Sequence, residues 1–239
     1  MNDKIEKLKE IIDKSDNIVF FGGAGVSTES GIKDFRSKEG LYNQKFDRPA
    51  EYYLSSQCFY LDPEVFFNFY KKNMNCLNAK PNITHLYLTK LENKNKLKAI
   101  ITQNIDGLHQ KAKSKNVLEL HGTIYKNYCI KCNKKYNAEY IFNSKDIPRC
   151  TCGGIIKPDV VLYGEPLPES FNLANKYISE AETLIVAGTS LTVEPASSLV
   201  KSFNGKNLII INNDRTPYDH LATLIINDSL KNVINKLEL

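Results

Sequence analysis

The segment that decides the fold is Asn17-Ile-Val-Phe-Phe-Gly-Gly-Ala-Gly-Val-Ser-Thr28, near the start of the 239-residue chain. Its apolar run has the length of a buried strand, and the glycines that follow predict a tight turn into a helix. Such glycines let the main chain approach a pyrophosphate, and free N–H groups at a helix start favour an anion. Position 28 carries Thr where the usual Gly-x-Gly-x-x-Gly fingerprint has its third glycine. A dinucleotide site and a turn without ligand both stay open from this segment alone.

Further short apolar runs follow, with helical patterns between them. Strands are predicted at residues 17–21, 97–101, 117–120, 160–162, 183–187 and 207–211. Helices are predicted at residues 3–14, 83–91, 169–181, 195–203 and 229–237. Because strands alternate with helices, the fold class predicted is α/β, with a doubly wound parallel sheet.

Two stretches depart from this alternation. Residues 33–77 are rich in aromatic side chains, and residues 124–156 hold four of the six cysteines with little continuous apolar pattern. We interpret both as parts of one smaller domain, a helical module and a cysteine ribbon. The larger domain then comprises residues 1–32, 78–123 and 157–239.

The cysteines of the second stretch have the spacing of a metal site. Cys129-Ile-Lys-Cys132 is followed after 17 residues by Cys150-Thr-Cys152. Two close thiol pairs at this separation are typical of a tetrahedral zinc site, here a structural one because no position is left for water. Four free thiols are the alternative, and the second pair has one intervening residue instead of the more familiar two.

Composition narrows the classes of protein. A hydrophobic content of 42% with 25% charged residues excludes wholesale disorder, and no apolar run is long enough to span a bilayer. A cytoplasmic location with reduced thiols is expected. The net charge of +5 includes only four arginines among 32 basic residues, so charge alone does not indicate nucleic-acid binding. Residues 124–157 alone carry seven basic and two acidic side chains, a local excess of 7 − 2 = +5.

Polar residues follow two of the predicted strands. Asn104 and Asp106 come after the strand at 97–101, and His121 comes after the strand at 117–120. Ligands of open α/β sheets bind at the carboxyl ends of the strands, where these side chains are expected. A histidine suits general-base work, and the Asn and Asp can orient a sugar or a water.

Taken together, these segments resemble the sirtuin family of NAD-dependent protein deacylases over nearly the whole chain. The resemblance rests on the four-cysteine ribbon and on six segments in family order: Gly23-Ala-Gly-Val-Ser-Thr-Glu-Ser-Gly-Ile-Lys-Asp-Phe-Arg36, Thr102-Gln-Asn-Ile-Asp-Gly-Leu-His109, Leu120-His-Gly-Thr123, Lys157-Pro-Asp-Val-Val-Leu-Tyr-Gly-Glu165, Gly188-Thr-Ser-Leu191 and Ile211-Asn-Asn213. It implies a Rossmann-like large domain with a smaller inserted zinc-ribbon and helical domain.

The resemblance also implies roles for individual residues. His121 would be the general base and Asn104 would hold an ordered water. The implied NAD contacts are Gly23, Ala24, Gly25, Thr28, Phe35, Arg36, Gln103, Ile105, Asp106, Thr189, Ser190, Asn212 and Asp228. The implied substrate contacts are Val161, Tyr163, Gly164, Glu165 and Val193, and the zinc ligands are Cys129, Cys132, Cys150 and Cys152.

The implied reaction transfers the acetyl group of acetyl-lysine to ADP-ribose, releasing nicotinamide and free lysine, so NAD is a co-substrate. Acetyl-lysine proteins or peptides are the expected partners, entering as an added strand between residues 161–165 and 191–194. No membrane and no direct nucleic-acid contact is expected, and the oligomeric state is not implied.

Two departures from the family pattern bear on specificity. Lys33 stands where the family usually has proline. Members that prefer succinyl-lysine or malonyl-lysine resemble Tyr-x-x-Arg, but here Tyr70 is followed at that spacing by Asn73. Without a guanidinium a buried carboxylate lacks its bidentate partner, so a deacetylase is predicted, although Lys71 or Lys72 could substitute. The alternatives are a mono-ADP-ribosyltransferase, a deacylase for longer or acidic chains and, more distantly, a nucleic-acid-binding zinc ribbon without enzymatic activity.

Overall fold

A computed structural model describes residues 2–35, 40–43 and 45–237 of the chain. Its strands are β1 (Ile18–Gly22), β2 (Leu97–Thr102), β3 (Val117–Glu119), β4 (Gly122–Cys129), β5 (Lys135–Tyr136), β6 (Ile156–Val160), β7 (Thr183–Ala187), β8 (Asn207–Ile211) and β9 (Leu224–Ile226). Its α-helices are α1 (Asn2–Lys14), α2 (Ala50–Tyr53), α3 (Ser56–Leu61), α4 (Pro63–Met74), α5 (Ile83–Asn93), α6 (Leu108–Lys111), α7 (Ala138–Phe142), α8 (Ser170–Glu180) and α9 (Leu230–Leu237). Across these ranges, the helices are all too short or too polar to cross a membrane.

The main sheet is parallel, with the strand order β3-β2-β1-β7-β8-β9. Every residue of β1 and β7 is buried, as expected for parallel strands covered on both faces. Phe20 packs into a core with α1, α5 and α9, whereas Phe21 packs into a second core with α8 and the 3₁₀ helix Ala196–Ser202. The predicted α/β class with a doubly wound parallel sheet is therefore confirmed.

Most predicted elements lie within two residues of the observed ones. The strands at 183–187 and 207–211 have the bounds predicted, and the helix predicted at 195–203 is the 3₁₀ helix Ala196–Ser202. β9 was not predicted, because three residues at a sheet edge carry too short a pattern.

A second, antiparallel sheet has the strand order β5-β4-β6 and corrects one prediction. The apolar residues 160–162 do not form a strand of the parallel sheet. Instead, β6 ends at Val160 and pairs with β4, where Cys129 lies opposite Ile156. This sheet shares one core with α3 and α4, built largely from aromatic side chains such as Phe59, Phe66, Phe67 and Tyr70. The proposed domain limit at residue 157 falls inside β6, and the other domain boundaries stay predictions.

Two histidines meet in the interior beside β1. The rings of His85 on α5 and His109 on α6 lie 4.7 Å apart between centroids, and both side chains are buried. His85 Nδ1 accepts a hydrogen bond from the main-chain N–H of Asn82 and caps α5. Among the described residues, His85 Nε2 and both nitrogens of His109 have no partner. Burial lowers the pKa of His85 to about 4 and that of His109 to about 3.

These two histidines should make the protein sensitive to acid. In the unfolded chain they bind protons near pH 6.5, but in the folded chain only near pH 3–4, so folding excludes two protons between those limits. The contribution of these two histidines to the free energy of unfolding is fully present above about pH 6.5. It is lost as the pH falls, by up to roughly 2.7 kcal/mol per pH unit for two sites. Urea unfolding between pH 7 and pH 4.5 measures this slope.

The variant His109→Leu should remove about half of the histidine-dependent slope, because one of the two excluded protons is gone. His220→Ala, at an exposed histidine, is the control and should keep the wild-type slope. An unchanged slope in His109→Leu would contradict the assignment.

Candidate functional site

The glycine turn after β1 crosses the end of β7 at very short distance. Gly25 N donates a hydrogen bond to the carbonyl of Gly188 at 2.8 Å. A Cβ atom on Gly25 would lie 2.8 Å from the Cα of Gly188, and Gly188 itself has φ +58°. Neither position accommodates a side chain without displacing main chain, so both glycines are required for the crossing. The crossing aligns the ends of β1 and β7 at one edge of the sheet.

At this edge lies a cavity of about 1140 Å³, larger than most small-molecule sites. It follows the carboxyl ends of β1, β2, β7 and β8 and extends to the segment after β6. The predicted site residues that line it are Gly23, Ala24, Gly25, Thr28, Phe35, Gln103, Asn104, Ile105, Asp106, His121, Val161, Tyr163, Gly164, Glu165, Thr189, Ser190, Val193, Asn212 and Asp228. Arg36 lies outside the described residues.

A buried hydrogen-bond network joins the glycine turn to the loop after β2. Ser27 Oγ donates to the carboxylate of Asp106 at 2.7 Å and accepts from Asn104 Nδ2 at 3.1 Å. The other carboxylate oxygen accepts from the N–H of Leu108 at 2.9 Å. Burial raises the pKa of Asp106, while these hydrogen bonds oppose the rise. Sequence reasoning did not assign Ser27, although it lies inside the segment quoted for the cofactor.

His121 reaches the cavity with a defined protonation pattern. Its Nδ1 lies 3.0 Å from the carbonyl oxygen of Gln103, which can only accept, so Nδ1 carries the proton. Nε2 is then left with a free electron pair. Burial lowers the pKa of His121, and this hydrogen bond partly offsets the decrease. The lowered pKa favours the neutral ring at neutral pH. The geometry is that of a general base.

Gln103 also connects the ends of three strands. Its main-chain N–H donates to the carbonyl of Gly22 at 3.0 Å, and its Nε2 donates to Thr189 Oγ1 at 3.1 Å. Because the same residue holds His121, the histidine is positioned by groups at the ends of β1, β2 and β7.

The far end of the cavity has polar residues in the segments after β7, β8 and β9. Ser190 Oγ lies 2.8 Å from Thr192 Oγ1, and Asn212 Nδ2 donates to the carbonyl of Asp214 at 2.9 Å. Asp228 has a clear second task, since its carboxylate accepts from Ser229 N and Asn232 Nδ2, both at 2.8 Å, at the start of α9. The helix cap itself is Ser229, whose hydroxyl accepts from the N–H of Asn232 at 3.2 Å, so Asp228 supports the start of α9 beside its predicted adenine-side contact.

The segment after β6 runs along the cavity past His121. Val161 N donates to the carbonyl of His121 at 2.9 Å, and Tyr163 pairs through its main chain with Leu54 and Ser56. Within the described residues, the carbonyl of Val161 and both main-chain groups of Gly164 have no hydrogen-bond partner. Because Val161 and Gly164 both line the cavity, we interpret this segment as an open strand edge to which an extended peptide can pair.

The side chain of Tyr163 also contacts the cofactor-side segment. Its hydroxyl lies 2.8 Å from that of Tyr42, whose ring packs edge-on against Phe35 at 5.2 Å. Phe35 and Tyr163, predicted for cofactor and substrate, are thus linked through one intervening ring.

The four predicted cysteines converge on one point. Their sulfur atoms all lie within 4.8 Å of one another, and three pairs are 3.4–3.6 Å apart. Four thiolates at roughly 2.3 Å from a tetrahedral zinc would lie roughly 3.8 Å apart, so the spacing fits the ion. The donor set, Cys129, Cys132, Cys150 and Cys152, is the soft ligand type that zinc prefers.

The lysine that could have substituted for the missing arginine is already engaged. Lys71 Nζ donates to the main-chain carbonyls of Ser144, at 2.8 Å, and of Asp146. Asn73 Nδ2 donates to the carbonyl of Phe69 on its own helix. Lys72 is exposed at the rim of the cavity.

Comparison with known proteins gives the family. A model described as "Sir2 family" matches residues 23–195. A Clostridium perfringens protein named "NAD-dependent protein deacetylase" is 56% identical over 242 residues, covering 99% of each chain. A Staphylococcus epidermidis protein of the same name is 48% identical, covering 98% of this chain and 96% of its own.

Solved structures agree with these relatives. One described as "Sir2-p53 peptide-NAD+" has a TM-score of 0.84 at 40% identity, covering 98% of this chain and 95% of its own. Another, "Sir2 bound to acetylated peptide", has a TM-score of 0.84 at 38% identity with the same coverage. Together with the glycine crossing, the histidine and the open strand edge, these matches establish that the chain belongs to the Sir2 family.

Proposed function

We propose that this protein is an NAD-dependent protein-lysine deacetylase. The observation that carries the proposal is the position of His121, which lines a cavity between a dinucleotide-type glycine turn and an open strand edge and whose Nδ1 is held by the Gln103 carbonyl, leaving Nε2 unprotonated. Relatives of nearly equal length, at 45–56% identity, bear the name of this activity. A single cavity thus offers room for a dinucleotide, a base and an extended peptide.

NAD would be held by main-chain groups of the glycine turn at one end and by polar residues after β7 and β8 at the other. The turn residues Gly23 to Gly25 supply close main-chain approach to the phosphates, and Thr189, Ser190 and Asn212 supply hydroxyl and amide groups. Asp106, fixed by Ser27, is placed to accept from an amide such as the carboxamide of nicotinamide. Bound NAD supplies an ADP-ribose acceptor for the acetyl group and nicotinamide as the leaving group.

His121 would take a proton from a ribose hydroxyl. The hydrogen bond from Nδ1 to Gln103 fixes the ring orientation and stabilises the charge that the ring gains when Nε2 accepts the proton. Asn104, held through Ser27, would orient a water or hydroxyl beside it. The four clustered cysteines are not among the residues that line this cavity.

The acetyl-lysine substrate would pair with the free main-chain groups of Val161 and Gly164, with Val193 on the opposite side. Pairing through the main chain gives affinity with limited sequence preference. The partners proposed are therefore acetyl-lysine proteins or peptides of diverse sequence.

We further propose that the cysteine cluster binds one structural zinc ion. Bound zinc would join β4 to the turn before β6 and supply folding free energy to a region with few apolar residues. Thiolates kept reduced for metal binding fit the cytoplasm, which is the location we propose.

Replacing the base tests the mechanism directly. His121→Ala should lower kcat for NAD-dependent deacetylation by about 10²–10⁴-fold, because the proton then has no acceptor at that point. In the wild type, activity should fall on the acid side with a midpoint below pH 6.5, since His121 acts only when neutral and burial lowers its pKa. His220→Ala is the matched control and should behave as the wild type. Equal activity in His121→Ala and wild type would refute the proposal.

The acyl preference gives a second test. Acetyl-peptide should be turned over at least about tenfold faster than succinyl-peptide, because Asn73 stands where an arginine would pair with a carboxylate and the Lys71 ammonium is held by main-chain carbonyls. Asn73→Arg should raise succinyl turnover, whereas the control Asn73→Gln should not. Faster succinyl turnover by the wild type would contradict the prediction.

Label from the adenine half of NAD appearing on protein instead of on acetyl-ADP-ribose would favour the ADP-ribosyltransferase alternative.

Metal analysis tests the zinc proposal. The purified protein should contain about one zinc per chain, and Cys132→Ser should lose it together with several degrees of Tm. Cys58→Ser, at a buried cysteine outside the cluster, should keep the metal. Full zinc content in Cys132→Ser would rule out the proposed ligand set.

A further inference from the structure

A lysine is buried beneath the open strand edge. Lys157 lies on β6, and its side chain is only 5% exposed. Its ammonium donates to the carbonyls of Pro158 at 3.3 Å and Val160 at 3.1 Å, and to Glu165 Oε2 at 3.1 Å. An ammonium has three N–H donors, so every donor has an acceptor. Such complete pairing is what a buried charge requires.

Glu165 fixes the other end of the segment formed by residues 157–165. Glu165 Oε2 also accepts from the N–H of Leu162 at 2.9 Å, and Glu165 N donates back to the carbonyl of Leu162 at 2.9 Å. Between them Gly164 has φ +90°, a left-handed conformation that suits glycine. Residues 157–165 are therefore held by contacts at both ends and in the middle.

The residues held in this way are those that present free main-chain groups to the cavity. Val161 is tied to His121 by its N–H and offers its carbonyl to the cavity, and Gly164 offers both its groups. Glu165 was predicted as a substrate contact, and the Oε2 atom of its side chain accepts from two internal donors. Glu165 is therefore placed to position the strand edge that the substrate pairs with.

We propose that Lys157 and Glu165 form a buried ionic clasp that positions the strand edge at 161–164 for main-chain pairing with the peptide flanking acetyl-lysine. The inference rests on the proposed deacetylase function and adds two positioning residues to it. Removal of the Glu165 charge leaves the buried Lys157 ammonium with two main-chain carbonyls but no counter-ion. Removal of Lys157 takes the cation from the Glu165 carboxylate, whose Oε2 keeps the N–H of Leu162. In either case the loop must rearrange to hydrate the remaining charge. The edge then loses its register relative to His121.

Two substrates distinguish positioning from a general structural role. An acetylated peptide of about ten residues uses the strand edge through its main chain, whereas a single acetyl-lysine capped at both ends has almost none to pair. Lys157→Met and Glu165→Gln should raise KM for the peptide about tenfold or more, with kcat within about twofold. For the capped acetyl-lysine, kcat/KM should stay within about twofold of the wild type.

The controls use the same readouts. Lys206→Met removes an exposed ion pair with Glu182 and should leave both substrates unaffected. Lys157→Arg keeps the charge and should recover part of the peptide affinity. NAD binding, measured by titration, should be unchanged in Glu165→Gln, because the clasp does not touch the glycine turn.

Each outcome decides the proposal. Equal losses for the peptide and the capped acetyl-lysine, or no change in peptide KM in Glu165→Gln, would overturn it. If Lys157→Met does not fold, the nearly isosteric Glu165→Gln decides alone. A wild-type protein inactive on both substrates would refute the deacetylase function itself, a result distinct from failure of the clasp.

Discussion

The arrangement of the site depends on the contact between two main-chain segments, the glycine turn after β1 and the end of β7. Gly25 and Gly188 approach so closely that a methyl group at either position would overlap main-chain atoms. Because the segments cross here, Gln103 can reach both Gly22 and Thr189 and still hold His121 by its carbonyl. The base, the glycine turn and the loops after β7 and β8 are thus held in fixed positions relative to one another.

The electrostatics of the cavity follow from burial combined with specific hydrogen bonds. Burial alone favours neutral forms of His121 and Asp106, and each receives a hydrogen-bond partner that limits the shift. His121 is thereby neutral but able to accept a proton, and Asp106 keeps a fixed acceptor orientation through Ser27. Lys157 is the one buried side chain among the seven basic residues of 124–157. In low-dielectric surroundings, its charge requires a hydrogen-bond partner for every donor.

The parallel sheet was largely predictable from the sequence, because strands buried on both faces give continuous apolar runs such as residues 183–187. β6 was not, because Lys157 and Pro158 interrupt its apolar pattern and the partner that neutralises the lysine lies eight positions later, at Glu165. The NAD and substrate contacts were predicted from the family resemblance, and those among the described residues line one cavity. The role of Ser27 was missed and that of Asp228 was only partly predicted, because both depend on contacts made only after folding.

The strand order has a consequence for biosynthesis. β1, at residues 18–22, is synthesised long before one of its two sheet neighbours, β7, at residues 183–187. The fully buried strand β1 thus has one edge unpaired until residues 183–187 have been made. Pairings of such long sequence separation are slow and leave apolar strands exposed in the meantime. Folding of the parallel sheet is therefore expected to finish only after β7, β8 and β9 have been made, whereas the small antiparallel sheet, built from β4 to β6, can form earlier.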